Sequence, residues 1–107
     1  MDIARWQAQL RTFAGERDWE QFHTPKNLTM ALSVEASELL EIFQWLTPEE
    51  SRQVMQGQDA DAVRDEVADV MIYLLRLADV LGVELEEVVA AKIGRNAVRF
   101  PSQPRPD

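Results

Sequence analysis

Apolar residues recur every three or four positions along most of the chain, and this spacing predicts helices. In residues 2–15 the apolar positions are Ile3, Trp6, Leu10 and Phe13. Across residues 60–81 they are Val63, Val67, Val70, Leu74, Leu77 and Leu81, which alternate steps of four and three. Such alternation is typical of the seam of a helical bundle. No segment has the strict alternation of a strand, so an all-α fold is predicted.

Threonine–proline pairs mark where two further helices start. Thr24 and Pro25 precede a helix predicted to run to about Leu46, and Thr47 and Pro48 precede a short one. The threonine caps the first turn, and proline at the first helical position loses no hydrogen bond. Glu50 stands three residues after Thr47, the spacing of a capping box.

A fifth helix is predicted over residues 84–98, after Gly82 ends the fourth. We therefore predict a four- to five-helix bundle as a single domain over residues 1–100, with a flexible proline-rich tail over residues 101–107. The segment "VMIYLL" in the fourth helix is apolar on nearly every side. A helix of that kind is buried in more than one direction, which suggests that a partner subunit covers part of it.

Composition narrows the classes of function. The chain has 11 basic and 19 acidic residues, a net charge of −8, and no cysteine. Nucleic acids and anionic membranes are bound by clustered Lys and Arg, so neither is expected as a partner. A thiolate metal site and disulfides are excluded. No signal peptide or transmembrane span is recognised, so a cytoplasmic location is expected.

Two pairs of carboxylates stand on the two longest helices. Glu35 and Glu38 form an "ExxE" pair and Glu66 and Asp69 an "ExxD" pair. A spacing of three places each pair on one helical face. If the helices pack side by side, the four carboxylates converge, and their mutual repulsion calls for a cation such as Mg²⁺ or Mn²⁺.

The alternative is a solvated acidic helix face, on which Glu is common. Glu35 argues against it because it falls on the apolar stripe of Leu28, Leu32 and Leu39. Glu41, on the same helix, is a weaker third candidate for the site after Glu35 and Glu38. Arg64 and Arg76 are expected off the shared carboxylate face. A di-iron site would need two Glu-x-x-His motifs, and the only one here ends at His23.

At these residues the chain resembles the MazG-like superfamily of all-α nucleoside triphosphate pyrophosphohydrolases. The stretches "ERDWEQFHTPKNL", "EASELLEIFQW", "DEVADVMIYLLRLAD" and "KIGRNAVRFP" are similar to its dCTP pyrophosphatase branch in particular. The resemblance implies hydrolysis of a (deoxy)nucleoside triphosphate to the monophosphate and pyrophosphate, with dCTP or a modified cytosine nucleotide as the expected substrate. It also implies a homodimer or homotetramer in which neighbouring subunits share site residues.

The same resemblance implies roles for individual residues. Glu35, Glu38, Glu66 and Asp69 would hold Mg²⁺, and Glu35 and Glu38 are the candidates for activating water. The implied substrate-binding residues are Trp19, Trp45 and Tyr73 for stacking on the base, Asn96 for reading its edge, and Lys92 and Arg95 for the phosphates.

One position departs from the branch. Its members carry a histidine in the first helix near the base pocket, whereas Leu10 stands at the matching position and His23 is expected elsewhere. The base preference is therefore open. The alternatives to a dCTP-type enzyme are a phosphoribosyl-ATP pyrophosphatase-like enzyme of the same superfamily and a non-catalytic helical interaction module.

Overall fold

The computed structural model describes residues 1–103, and all regular secondary structure among them is helical. The five α-helices are α1 (Ile3–Glu16), α2 (Pro25–Phe43), α3 (Pro48–Arg52), α4 (Ala60–Leu81) and α5 (Leu85–Arg99), with 3₁₀ turns at Glu20–Phe22 and Val54–Gln56. The all-α prediction is confirmed. None of the helices described is long and apolar enough to cross a membrane.

The predicted caps position α2 and α3. The Thr24 side chain accepts a hydrogen bond from the Asn27 N–H at 3.2 Å. Thr47 and Glu50 form a full capping box: the Thr47 N–H donates to the Glu50 carboxylate at 2.9 Å, and the Glu50 N–H to Thr47 Oγ1 at 3.1 Å. Since the residue before a proline avoids the helical region, Thr47 is extended and α2 has to end before it. It ends at Phe43 rather than Leu46.

The long helices α2 and α4 pack side by side and form the most extensive interhelix contact, while α1 lies across α4. Between them sits a small core, whose buried apolar residues are Ala14, Leu28, Val63, Leu75 and Ala78. This packing turns the ExxE face of α2 towards the ExxD face of α4.

The buried face of α1 differs from its predicted stripe. Trp6 and Phe13 are 41% and 46% exposed. Instead Gln7 and Ala14 turn towards the rest of the chain, because Gln7 Nε2 donates to the Leu75 carbonyl at 3.0 Å and the small Ala14 is buried. A polar residue and an alanine carry too weak an apolar signal to be picked out from periodicity.

The seam predicted on α4 is only partly buried within one chain. Val63 is buried, but Val67, Leu74 and Leu81 are 52%, 38% and 53% exposed. The stripe that packs against α1 and α2 is rotated from it and includes Leu75 and Ala78. The remaining apolar face of α4 is left on the surface.

Helix α5 makes only marginal contact with the other four helices, and residues 86–100 are exposed throughout. Within one chain, the α-helices that pack on one another are α1, α2 and α4, and the 3₁₀ turn at Val54–Gln56 contacts α4. Residues 101–103 follow α5 without regular secondary structure. The rest of the predicted tail, residues 104–107, lies outside the described residues.

Candidate functional site

Three carboxylates from α2 and α4 meet at the contact between these helices. One oxygen each from Glu35, Glu38 and Glu66 lies within 4.8 Å of the other two. Asp69, one turn beyond Glu66 on α4, lines a cavity together with Glu35. The packing of α2 on α4 thus brings both predicted acidic pairs to one place, although only three of the four carboxylates form the tight group.

The carboxylates disturb one another's ionisation. The pKa of Glu35 is raised above its ordinary value, first because it can share a proton with Glu66 and then because it is desolvated. The pKa of Glu38 is raised by a shared proton with Glu35 and by the charge of Glu35. For Glu66, the proton shared with Glu35 lowers the pKa, but burial and the Glu38 charge outweigh it, so that this pKa is also raised.

The donor set fits a hard divalent cation. Glu35 Oε2 and Glu66 Oε2 are buried and have no hydrogen-bond partner. Buried carboxylate oxygens without a partner are costly, and native proteins pair them with donors or metal ions. No ion pair joins these glutamates to a Lys or Arg within residues 1–103. An all-oxygen ligand set of this kind suits Mg²⁺ or Mn²⁺, and the cluster is therefore a candidate metal site.

A cavity of about 330 Å³ opens from this cluster between α1, α2, α4 and the connector after α1. Its size is in the range of small-molecule sites. Glu35 and Asp69 contribute carboxylates to its wall, and aromatic and apolar side chains form most of the rest. The lining residues are Leu10, Phe13, Ala14, Trp19, His23, Glu35, Asp69, Ile72, Tyr73 and Arg76.

The aromatic wall is organised locally. Phe13 and Trp19 meet edge to face with ring centroids 5.6 Å apart. The chain reaches this position by a sharp turn after α1, in which Asp18 has φ 55° and the Trp19 N–H donates to the Ala14 carbonyl at 2.9 Å. Tyr73 stands on α4, four residues after Asp69. Two of the predicted base-stacking residues, Trp19 and Tyr73, therefore share the cavity with the carboxylates.

The other predicted substrate-binding residues lie outside the cavity of their own chain. Trp45 follows the end of α2 and is 87% exposed. Lys92, Arg95 and Asn96 are exposed on α5, which stands away from the bundle. Their roles stay predictions. Glu41 is exposed one turn beyond Glu38. It affects the site through its charge, which helps to raise the pKa of Glu38.

Two residues of the cavity wall differ from expectation. Arg76, expected away from the carboxylate face, lines the cavity with Asp69 and Tyr73. The spacing in the sequence does indicate this position for Arg76. It is seven residues after Asp69, or about two helical turns, and so lies on the same face of α4. His23, expected elsewhere, also lines the cavity because the connector after α1 folds back over α4. Its place depends on that fold-back and has no periodic signal.

Known proteins give an independent comparison. The dCTP pyrophosphatase 1 of Rattus norvegicus is 45% identical over 101 residues, which are 94% of this chain and 58% of that protein. The Homo sapiens dCTP pyrophosphatase 1 is 44% identical over 102 residues, with the same coverage of 94% and 58%. The chain thus spans little more than half the length of these relatives.

A solved structure of a pyrophosphatase from Archaeoglobus fulgidus superimposes with a TM-score of 0.87 at 39% identity, covering 95% of this chain and 94% of that one. The profile of the MazG-like family matches residues 30–105, which include both acidic pairs. The chain belongs to the MazG-like family.

Proposed function

We propose that the chain is a Mg²⁺-dependent nucleoside triphosphate pyrophosphohydrolase, which converts a (deoxy)nucleoside triphosphate and water to the monophosphate and pyrophosphate. The observation that carries the proposal is that the carboxylate cluster, with its two unpartnered buried oxygens, adjoins an aromatic cavity whose wall includes Glu35 and Asp69. The carboxylates fit a metal ion that would hold the phosphate chain, and the aromatic wall fits a nucleobase. The pyrophosphatase names of the relatives support the same reaction.

The proposed roles of the residues fall into two groups, one for the metal and phosphates and one for the base. Glu35, Glu38, Glu66 and Asp69 would hold the ion, with Mn²⁺ as an alternative to Mg²⁺. When bound, Mg²⁺ supplies Lewis acidity and neutralises the charge between the phosphates and the carboxylates. Glu35 or Glu38 orients and deprotonates the water that attacks the phosphoanhydride, so that the bond between the α and β phosphates breaks and pyrophosphate leaves.

The aromatic side chains of the cavity wall form the proposed binding surface for the base. Trp19 and Tyr73 line the cavity, and stacking of a base on an aromatic side chain contributes about 1–3 kcal/mol. The preferred substrate we propose is dCTP or a modified cytosine nucleotide, the setting is the cytoplasm, and the role is removal of unwanted nucleotides from the pool.

A panel of deoxy- and ribonucleoside triphosphates, including 5-methyl-dCTP, tests the proposal by pyrophosphate release with and without Mg²⁺. We expect turnover only with the divalent ion and the highest kcat/KM for a cytosine nucleotide. Absence of hydrolysis across the panel would instead favour a non-catalytic module. Selective hydrolysis of phosphoribosyl-ATP would favour the other enzyme branch.

The chain's surface supports the proposal of a homodimer or homotetramer. Its accessible area is 8443 Å², whereas a compact monomer of its mass, 12.3 kDa, exposes about 6100 Å². Apolar side chains are exposed on α5, where Val88, Val89 and Ile93 are 44%, 50% and 62% exposed. A second copy that covers α5 would bury this face and bring exposed Lys92 and Arg95 towards a neighbouring cavity.

Ile93→Asp is therefore expected to weaken self-association at least about tenfold, since burial of an isoleucine contributes about 1.5–3 kcal/mol and each interface would lose it. Sedimentation velocity over a range of concentrations measures the effect. Glu87→Gln, on the opposite side of the same helix, is the control and should sediment as the wild type. A wild-type monomer, or an Ile93→Asp protein with unchanged association, would contradict this assembly through α5.

A further inference from the structure

The wall of the cavity contains a buried cation that the proposed reaction leaves without a role. Arg76 is only 8% exposed and lines the cavity. A buried guanidinium is costly unless its charge and donors are matched. Arg76 is seven residues beyond Asp69 on α4, a distance of about 10 Å along the helix at 1.5 Å per residue. Its backbone is therefore about two helical turns beyond the last of the four acidic residues.

Protein contacts hold the guanidinium but do not use all of it. Arg76 Nε donates to His23 Nδ1 at 3.1 Å, and Nη1 to Asp79 Oδ2 at 3.4 Å. The same Asp79 oxygen also accepts from Arg11 Nε at 2.7 Å. One carboxylate is thus shared by two arginines. A guanidinium has five N–H groups, so three of those on Arg76 have no acceptor within residues 1–103.

His23 adds a donor rather than an acceptor. Because its Nδ1 accepts from Arg76, the neutral ring carries its proton on Nε2. Burial, followed by the nearby Arg76 charge, lowers the pKa of His23, which keeps the ring neutral at pH 7. The ring of Trp19 lies against it, with centroids 6.3 Å apart. The polar part of this wall is accordingly made of N–H donors next to an aromatic face.

We propose that Arg76, held in place by His23 and Asp79, is a specificity-determining residue that reads the edge of the substrate base. A wall of donors selects an edge with two adjacent acceptors. Cytosine offers N3 and O2, and guanine offers O6 and N7. Uracil and thymine carry a proton on N3 between their carbonyls, and adenine places an amino group beside N7, so each would leave a buried donor facing a donor.

This inference rests on the proposed function, since it takes a nucleotide to be the ligand. Arginine also binds phosphate, and a phosphate contact is the competing role. The two roles differ in what they affect. A phosphate contact acts on every nucleotide alike, whereas a contact with the base edge acts on cytosine or guanine nucleotides and spares the others.

The test is the ratio of kcat/KM values for dCTP, dGTP, dUTP and dTTP, measured on the full chain. Wild type is expected to prefer dCTP or dGTP over dUTP by about 10–100-fold, as for a bidentate arginine–base contact. Arg76→Lys keeps the charge but loses the fork. It should reduce that preference at least about fivefold, mainly through KM for the preferred nucleotide, with dUTP turnover preserved.

Control variants test whether a change in this ratio comes from the contact between Arg76 and the base. Arg64→Gln, on the exposed side of α4, should leave the ratio unchanged. His23→Leu removes the acceptor that positions Arg76 and should lower the ratio, whereas His23→Asn keeps an acceptor near the place of Nδ1 and should restore most of it. The His23 pair tests the inference even if the buried Arg76 variant does not fold.

An equal loss of kcat/KM for all four nucleotides in Arg76→Lys would assign the residue to the phosphates and overturn the inference, as would an unchanged ratio. If the wild type hydrolyses none of them, the proposed function fails by itself. Calorimetric binding of dCMP, dGMP and dUMP then still decides the base-reading role: the first or second should bind more tightly than dUMP to wild type but not to Arg76→Lys.

Discussion

Replacing Glu38 by glutamine is expected to lower kcat for nucleotide hydrolysis by about 10³-fold or more while the fold is retained. Glutamine has nearly the same shape but no charge, so the cluster of Glu35, Glu38 and Glu66 would lose one anionic ligand. A catalytic metal contributes several kcal/mol to the transition state, and each 1.4 kcal/mol is about tenfold in rate. Asp69→Asn should have a similar effect.

The matched control for this prediction is Asp65→Asn, one residue before Glu66 on the same helix and exposed. It should keep wild-type kinetics. Steady-state pyrophosphate release gives the rates, and circular dichroism verifies that each variant is folded. Activity of Glu38→Gln within about tenfold of wild type would remove this residue from the site.

Addition of Mg²⁺ is expected to stabilise the folded protein strongly, because the ion relieves repulsion that exists only in the folded state. At a concentration of 100 times Kd, a ligand that binds only the native state adds about 2.7 kcal/mol to the free energy of unfolding. Thermal melts with Mg²⁺ and with a chelator measure the shift. The variant Glu35→Gln should show a much smaller one, and a shift equal to that of wild type would place the ion elsewhere.

The pH dependence of stability in the metal-free protein tests the same repulsion independently. The pKa values of Glu35, Glu38 and Glu66 are raised in the folded state. Between the ordinary value of 4.5 and the raised values, the folded protein binds more protons than the unfolded chain. The contribution of the cluster to stability therefore falls as pH rises through this window.

Metal-free Glu35→Gln should accordingly be more stable than wild type at pH 7 and lose that advantage towards pH 4. Comparing the two proteins cancels the titration of the other carboxylates. Saturating Mg²⁺ should abolish the advantage at neutral pH. A difference between the two proteins that does not change with pH would show that the glutamates do not repel one another in the folded state.

Local features of the sequence were sufficient to predict the helices and the acidic pairs. Thr24 with Pro25, and Thr47 with Pro48, act through groups within one turn, and these caps form as expected. Glu35 stands among the less exposed positions of α2, as its place on the apolar stripe implied. Once α2 and α4 are adjacent, the three-residue spacings bring the carboxylates together without further information.

Other features depend on contacts that no local pattern encodes. His23 reaches the cavity through the fold-back after α1, and Gln7 faces inward because it finds the carbonyl of Leu75. The segment of α4 that is apolar on nearly every side is predicted to be buried in more than one direction, yet one chain leaves part of it uncovered. Trp45 is likewise left uncovered by its own chain, and its predicted part in the site would need a neighbouring subunit.

We propose that the carboxylates of α2 and α4 serve cleavage between the α and β phosphates of a nucleotide held in the aromatic cavity. Phosphorus NMR of dCTP incubated with the protein and Mg²⁺ tests it directly. We expect dCMP and pyrophosphate in equal amounts, and no reaction with Glu38→Gln. Formation of dCDP and inorganic phosphate, or intact dCTP with both Mg²⁺ and Mn²⁺, would contradict it.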